Sequence, residues 1–95
     1  MKAIEVIVIE AGKKKGFIQS YSESPSLGDL QDLVGGNIEF INLNDSQYMV
    51  VNENGLNIEL PYNIFANDIL AKNRPEFAKL TAIVGDVFLI DKKDV

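Results

Sequence analysis

Two short apolar runs, Val6 to Ile9 and Val87 to Ile90, constrain the fold of this chain more than any other feature. In an extended first run, Val6 and Val8 lie on one face of the strand and Ile7 lies on the other. A strand that is apolar on both faces is typical of the interior of a sheet. Neither run can span a bilayer, because a transmembrane helix needs about 20 apolar residues.

The patterns along the chain predict an α+β fold: a curved, mostly antiparallel sheet of about five to six strands with one short amphipathic helix packed on it. The helix is expected over Leu27 to Val34, because Ser26 and Asp29 resemble a capping box and Gly35 supplies a left-handed stop. Residues 1–95 are expected to form a single domain, since no linker or repeat divides them. The expected strands are Lys2 to Glu10, Phe17 to Tyr21, Asn37 to Leu43, Gln47 to Glu53, Leu56 to Leu60 and Leu80 to Asp91.

Asn54-Gly55 is the strongest hairpin signal in the chain, because both positions of a type I′ turn need positive φ. The pattern predicts that the chain returns after this turn as a strand. Leu56, Ile58 and Leu60 would then face the core.

Several other segments carry specific expectations. Phe17, and less clearly Tyr21, are predicted to face the core from the second strand. The stretch Tyr62 to Lys72 fits either a helical turn or an ordered loop, and Asn73-Arg74-Pro75 breaks any helix there. The apolar strand Leu80 to Ile90, with a bend at Gly85-Asp86, could supply a pairing edge for another copy.

Charge is distributed unevenly over the chain. The net charge of −5 argues against non-specific nucleic-acid binding. Lys13-Lys14-Lys15, the segment Lys72 to Lys79 and Lys92-Lys93 hold nearly all the basic residues. No Lys or Arg lies between Gly16 and Ala71, a stretch that contains the acids Glu23, Asp29, Asp32, Glu39, Asp45, Glu53, Glu59 and Asp68. This acidity is either a simple aid to solubility or a sign that folding gathers the basic clusters around one pocket.

The residue types in the chain exclude several common kinds of catalytic and metal-binding site. There is no histidine and no cysteine, so the usual nucleophile–base pairs and zinc sites are absent. We therefore expect no enzyme activity, no metal and no cofactor. Without cysteines or a signal-peptide pattern, the cytoplasm is the favoured compartment, and no membrane association is expected.

Four segments together resemble a family of short domains of unknown function that is common in bacteriophages and conjugative elements. They are Val6 to Gly12, Leu30 to Glu39, Val50 to Gly55 with Leu60 to Asn63, and Ile83 to Ile90. The resemblance implies a phage or mobile-element setting, hence a host-cell cytoplasm, and no catalytic residues. By analogy of setting, small acidic proteins of this kind are often counter-defence factors, some of which sequester cyclic nucleotide signals of bacterial immunity.

Three groups of residues could bind a small phosphorylated ligand. Lysine ammonium groups and backbone N–H groups of a glycine-flanked turn suit a phosphate, although a solvated hairpin tip has the same composition. Asparagine amides can form hydrogen bonds with a base or a ribose, but they are equally common in turns. An arginine in a loop can bind a phosphate with two hydrogen bonds. The candidates are Lys13, Lys14, Lys15, Asn52, Asn54, Asn63 and Arg74, with Tyr21 and Tyr62 as stacking surfaces.

Two functions follow from these patterns. The first is a non-catalytic binder that sequesters a nucleotide-like signal in a pocket between identical subunits, because a chain of 95 residues has little room for an internal pocket. The second is an acidic, DNA-mimic-like inhibitor that occupies a basic surface of a host nucleic-acid-binding or defence protein.

Overall fold

A five-stranded antiparallel sheet forms the centre of the protein in a computed structural model that describes residues 4–95. Its strands are β1 (Ile4–Ile9), β2 (Phe17–Tyr21), β3 (Ile38–Asn42), β4 (Gln47–Asn52) and β5 (Val87–Asp91). The helices are α1 (Leu27–Val34), α2 (Ile64–Asn73) and α3 (Pro75–Ala78), followed at the end by a 3₁₀ turn over Lys92–Asp94. The predicted α+β class is confirmed. The first two residues of the strand expected over Lys2 to Glu10 lie outside the described residues.

β5 is the central strand of the sheet, whose order is β2-β1-β5-β4-β3. It pairs with β1 on one side, where Leu89 faces Ile7, and with β4 on the other, where Phe88 faces Val50. This position explains why the last apolar run has no polar face. The expectation that Leu80 to Ile90 supplies a pairing edge is therefore wrong, because both edges of β5 are occupied.

α1 covers one face of the sheet and has the predicted bounds. The Ser26 hydroxyl accepts a hydrogen bond from the Asp29 N–H (3.1 Å), and the Asp29 carboxylate accepts one from the Ser26 N–H (2.9 Å). Gly35 ends the helix with φ of 76°. Leu30 and Val34 pack into a cluster with sheet residues Val6, Val8, Val50, Phe88 and Ile90.

α2 and α3 cover the opposite face of the sheet. The segment Tyr62 to Lys72, which fitted either a helical turn or an ordered loop, is thus largely helical. α2 ends at Asn73, as the Arg74-Pro75 sequence predicts. Ala66 and Leu70 are fully buried. The same cluster contains the sheet residues Ile9, Ile41, Met49, Val51, Val87 and Leu89, together with Leu43 just after β3. The sheet is thus enclosed between one helix on one side and two on the other.

The strand predicted for Leu56 to Leu60 is wrong. Consecutive turns occupy this segment, with the Ile58 N–H donating to the Asn54 carbonyl (3.0 Å) and the Leu60 N–H to the Gly55 carbonyl (3.0 Å). Leu56 is 60% exposed and Ile58 56% exposed, so neither faces the core. The reason lies in the sheet order, since β3 and β5 already occupy both edges of β4 and leave no edge for a returning strand.

Two smaller expectations also fail. Phe17 is 47% exposed instead of buried, because β2 is an edge strand with limited cover. The expected strand from Leu80 begins only at Val87, preceded by a single bridge between Val84 and Tyr62. The bend predicted at Gly85-Asp86 is confirmed, with φ of 75° at Gly85.

Candidate functional site

The turn between β1 and β2 presents the three predicted lysines at one end of the sheet. Lys13, Lys14 and Lys15 are all exposed. The Ala11 N–H donates to the carboxylate of Asp86 (2.9 Å), which fixes the start of the turn against the residue preceding β5. The Lys13 N–H donates to the Glu10 carbonyl (3.1 Å). The backbone of the turn is therefore anchored while its ammonium groups reach into solvent.

A surface cavity of about 340 Å³ lies between this turn and the N-terminal part of α2. We call it the lysine cavity; its lining residues are Gly12, Lys13, Lys14, Ile64, Phe65 and Asp68. α2 reaches this end of the sheet because Asn63, its N-cap, donates from Nδ2 to the carbonyls of Ile9 (3.0 Å) and Gly85 (2.9 Å).

The amides of Asn63 and Asn52 are largely engaged in the fold. Besides its two donated hydrogen bonds, Asn63 accepts one from the Ala66 N–H (3.0 Å) and is fully buried. Asn52 donates to the Val34 carbonyl (3.2 Å) and accepts from the Asn54 N–H (2.8 Å). Both side chains join separate elements, so the structure favours a structural role for them over ligand contact.

Of the other candidates, Asn54 and Tyr62 are exposed and lie at the same end of the sheet as the lysine turn. Arg74 lies at the far end, where its Nη1 donates to the Asn42 carbonyl and its guanidinium lies 5.2 Å from the centre of the Phe77 ring. Lys92 is also at that far end, with its Nζ 5.3 Å from the centre of the Tyr48 ring. The lysine turn therefore does not share a pocket with Arg74 or Lys92.

Tyr21 also lies away from the lysine turn, opposite Ile4 at the start of β1. Its ring packs against the α1-side cluster. Partial burial raises the pKa of its hydroxyl, and the carboxylates of Asp29 and Asp32 raise that pKa further, because each disfavours the phenolate.

A second cavity, which the sequence did not indicate, has acidic residues in its lining. This acidic cavity has a volume of about 190 Å³, and among residues 4–95 its charged lining residues are Glu39 and Glu53. Asn57, Thr81 and the apolar residues Ile41, Val51, Leu56 and Val84 also line it. The signal that could have found it is strand register, since pairing β3 with β4 sets Glu39 opposite Val51, two residues from Glu53.

The described residues contain neither a metal-type cluster of side chains nor a membrane-type helix. Within residues 4–95, no group of three or more carboxylates is arranged to hold a metal ion. Within the same range, no helix has the length and apolar character that a membrane crossing requires.

Comparison with known proteins gives a single finding. A family model described as a domain of unknown function (DUF3846) matches residues 1–94. No curated protein and no solved structure gives a significant match. The expected resemblance to a family of unknown function is thus confirmed, while the phage or mobile-element setting stays a prediction.

Proposed function

The chain belongs to the family described as a domain of unknown function (DUF3846), and we propose that it is a non-catalytic binder of a small phosphorylated ligand of the nucleotide class. The observation that carries this proposal is the lysine cavity, where two ammonium groups and an apolar wall meet in one concave surface. A nucleotide has the matching character, with an anionic phosphate at one end and a flat, weakly polar base at the other.

Electrostatics favour an anion at the turn side of the cavity. Among the lining residues, Lys13 and Lys14 carry two positive charges and Asp68 one negative charge, while the carboxylates of Glu10 and Asp86 lie beside the turn. The N-terminus of α2 adds the positive end of a helix dipole at the opposite wall of the cavity. Lysine acts as a mobile point charge on phosphate, so exposed side chains can close on a ligand after it enters.

The helix side of the cavity favours a base. Phe65 is half-buried against the core cluster beneath α2 and lines the cavity with the rest of its ring, and Ile64, which is 65% exposed, adds apolar surface. Stacking of a base on an aromatic side chain contributes about 1–3 kcal/mol. The volume of about 340 Å³ is near the lower limit of ligand sites, so a single nucleotide unit fits inside and a larger ligand extends beyond it.

The biological role that we propose is sequestration. A binder that holds a nucleotide signal without altering it lowers the free concentration of that signal. This would serve counter-defence in a phage or mobile element, where the signal belongs to the host's immune response. The role requires tight binding and a copy number comparable with the amount of signal.

Calorimetry with a panel of nucleoside phosphates and cyclic dinucleotides tests the binding function. The variant Lys13→Gln/Lys14→Gln should weaken binding at least about tenfold, because each charged hydrogen bond contributes about 1.5–3 kcal/mol. The matched control is Lys92→Gln/Lys93→Gln, which removes the same charge at the far end of the sheet and should leave affinity within about twofold. Absence of heat and of thermal shift across the panel would refute the proposal, as would equal losses in both variants.

The acidic cavity supports a second candidate, an inhibitor that engages a basic host protein. Glu39 and Glu53 are both exposed and flank an apolar recess, which suits a lysine or arginine side chain with its aliphatic stem. Binding of this kind weakens with salt. Pull-down of a nucleic-acid-binding host protein should fall in Glu39→Gln/Glu53→Gln and persist in the control Asp45→Asn/Glu59→Gln. Capture that is independent of salt, or unchanged by the first variant, would argue against this candidate.

A further inference from the structure

The outer edge of β2 is open to solvent. In the sheet order, β2 and β3 are the edge strands, and within residues 4–95 no strand pairs with the outer side of β2. The residues of β2 from Phe17 to Ser20 are all exposed. An edge of this kind presents unpaired N–H and C=O groups and is a template for pairing with another strand.

β2 lacks the devices that normally protect an edge, whereas β3 has them. β2 contains no charged residue and no proline. β3 carries Glu39, and the side chain of Arg74 donates to the carbonyl of Asn42 near its end. Charged residues and covered carbonyls are common ways to block unwanted strand pairing. The contrast between the two edges points to β2 as the edge that pairs.

Apolar side chains beside this edge are exposed on both faces of the sheet. Ile18 is 62% exposed and lies opposite the partly exposed Ile7 of β1 on the α2 side. Phe17 is exposed on the α1 side. A strand added at this edge would cover part of all three side chains, and the burial of their apolar area would stabilise the contact.

We propose that two copies of the chain associate by antiparallel pairing of β2 with β2, about a two-fold axis that passes between the two copies of Gln19. In an antiparallel pair, two opposed residues either both direct their backbone N–H and C=O groups towards the other strand or both direct them away. In a symmetric pair of identical strands, the residue at the axis must therefore lie opposite its own copy. Ile18, Gln19 and Ser20 are the central choices. The partner is thus a second copy of this chain, and the product is a continuous ten-stranded sheet.

Charge and aromatic pairing together select Gln19 among these axes. With the axis at Gln19, Lys15 lies near Glu23 of the partner subunit, and Phe17 lies opposite Tyr21 of the partner subunit. With the axis at Ile18, Lys15 instead faces Tyr21 of the partner subunit. With the axis at Ser20, Phe17 faces Glu23 of the partner subunit. Only the Gln19 register therefore pairs cation with anion and aromatic with aromatic, both of which stabilise strand pairs.

This association goes beyond the proposed ligand binding and does not depend on it. The lysine cavity is lined by one chain and uses Lys13 and Lys14, whereas the strand contact uses Lys15 and β2. A single five-residue strand and its flanks bury less than the roughly 1,200 Å² of a standard interface. The dimer should accordingly be weak and should dissociate on dilution.

Sedimentation velocity over a concentration series tests the association. The wild-type chain should shift from monomer to dimer as concentration rises, and Ile18→Lys should abolish the shift by placing a charge at the edge. The control Leu80→Lys should dimerise like wild type, because Leu80 is 82% exposed and precedes Thr81, which lines the acidic cavity beside β3 and β4. A strict monomer at all concentrations would overturn the proposal, as would a dimer that Ile18→Lys leaves intact.

Charge reversal tests the register. Lys15→Glu and Glu23→Lys should each weaken the dimer, and the double variant should restore it, because both intersubunit pairs are then re-formed with opposite polarity. A single cysteine offers an independent readout, since the chain has none of its own. Gln19→Cys should give a disulfide-linked dimer on oxidation, and Leu80→Cys should not. Failure of the double variant to recover, together with no cross-link from Gln19→Cys, would overturn the Gln19 register.

Discussion

Asn63 shows how much of the fold can depend on one neutral side chain. Its amide holds the end of β1 through the Ile9 carbonyl, the bend before β5 through the Gly85 carbonyl, and the first turn of α2 through the Ala66 N–H. These three segments are far apart in the sequence, and the Asn63 side chain forms a hydrogen bond with each of them. The lysine cavity is built on the same junction, so Asn63 supports the candidate site without lining it.

We therefore expect Asn63→Ala to lower the free energy of unfolding by about 3–5 kcal/mol. The change removes a helix cap, worth about 0.5–2 kcal/mol, and leaves buried backbone groups without partners, at about 1–3 kcal/mol each. Urea unfolding measures the loss. Asn54→Ala is the matched control, because Asn54 is exposed, and it should change stability by no more than about 0.5 kcal/mol. Similar losses in both variants would mean that the Asn63 contacts are energetically minor.

Tyr21 gives the fold a dependence on alkaline pH. Burial, together with Asp29 and Asp32, raises the pKa of its hydroxyl above the ordinary value of 10.0. The folded chain thus keeps this proton to a higher pH than the unfolded chain does. Below pH 10 the Tyr21 hydroxyl is protonated in both states and the free energy of unfolding does not depend on it. As the pH rises past 10, the unfolded chain loses this proton first, so the free energy of unfolding falls until the pH exceeds the pKa of the folded state.

Urea unfolding on both sides of pH 10 tests this dependence. Tyr21→Phe should lose less stability than wild type as the pH rises, because the titrating hydroxyl is gone. The control Tyr62→Phe, at an exposed tyrosine, should decline with pH as wild type does. If Tyr21→Phe and wild type decline in parallel, the alkaline loss originates elsewhere in the chain.

At the scale of elements, two glycines with positive φ allow the cost of backbone strain to be distinguished from the cost of steric crowding. Gly35 has φ of 76° with no atom within 4 Å of a Cβ added there. Gly85 has φ of 75°, but an added Cβ would lie 2.7 Å from Cδ1 of Leu60. Both alanine substitutions carry the left-handed penalty of about 1–2 kcal/mol. Only the one at Gly85 must also displace a packed side chain.

We expect Gly35→Ala to cost about 1 kcal/mol and Gly85→Ala to cost more, by about 1–3 kcal/mol for the overpacking. Chemical denaturation of both variants measures the difference. The double variant Leu60→Ala/Gly85→Ala provides a check, because it lacks Cδ1 of Leu60. In the Leu60→Ala background, Gly85→Ala should lower the free energy of unfolding only by the cost of backbone strain. Equal costs for the two single variants would show that Leu60 moves aside freely.

Local signals explain which elements the sequence could predict. The capping box of α1 and the stop at Gly35 lie within a few residues of the helix that they define, so its bounds were correct. The turns after Asn52 were not predictable in this way, because their course depends on whether β4 has a free edge. That depends on β5, which is more than 30 residues further along the chain. The strand interpretation of Leu56 to Leu60 failed for this reason.

In the candidate site, too, the features set by local pattern were predictable and those set by long-range packing were not. The position of Lys13 to Lys15 in a hairpin turn follows from local pattern and was predicted. The approach of Phe65 and Asp68 to that turn follows from the docking of α2, which no local pattern determines. The separation of Arg74 from the lysines has the same origin, since a helix of ten residues carries Arg74 about 15 Å from the N-terminus of α2, which borders the turn.

At the scale of the whole molecule, the sheet order sets a gradient of protection from centre to edge. β5 is paired on both sides and covered on both faces, with Val87, Phe88, Leu89 and Ile90 all buried. β2 is paired on one side only, and four of its five residues are exposed. Amides in such unequal surroundings open with different free energies, from near zero at exposed edges up to that of global unfolding in the core.

Hydrogen exchange should therefore be slowest in β5 and faster in β2, and the difference should depend on protein concentration. If β2 pairs with a second copy, its outward-facing N–H groups gain partners in the dimer and exchange more slowly as concentration rises. Amides of β5 are buried in either state and should keep their rates. In Ile18→Lys the concentration dependence should disappear while the slow exchange of β5 remains. Uniform exchange across the strands would contradict the gradient, and β2 rates that do not change with concentration would contradict the pairing.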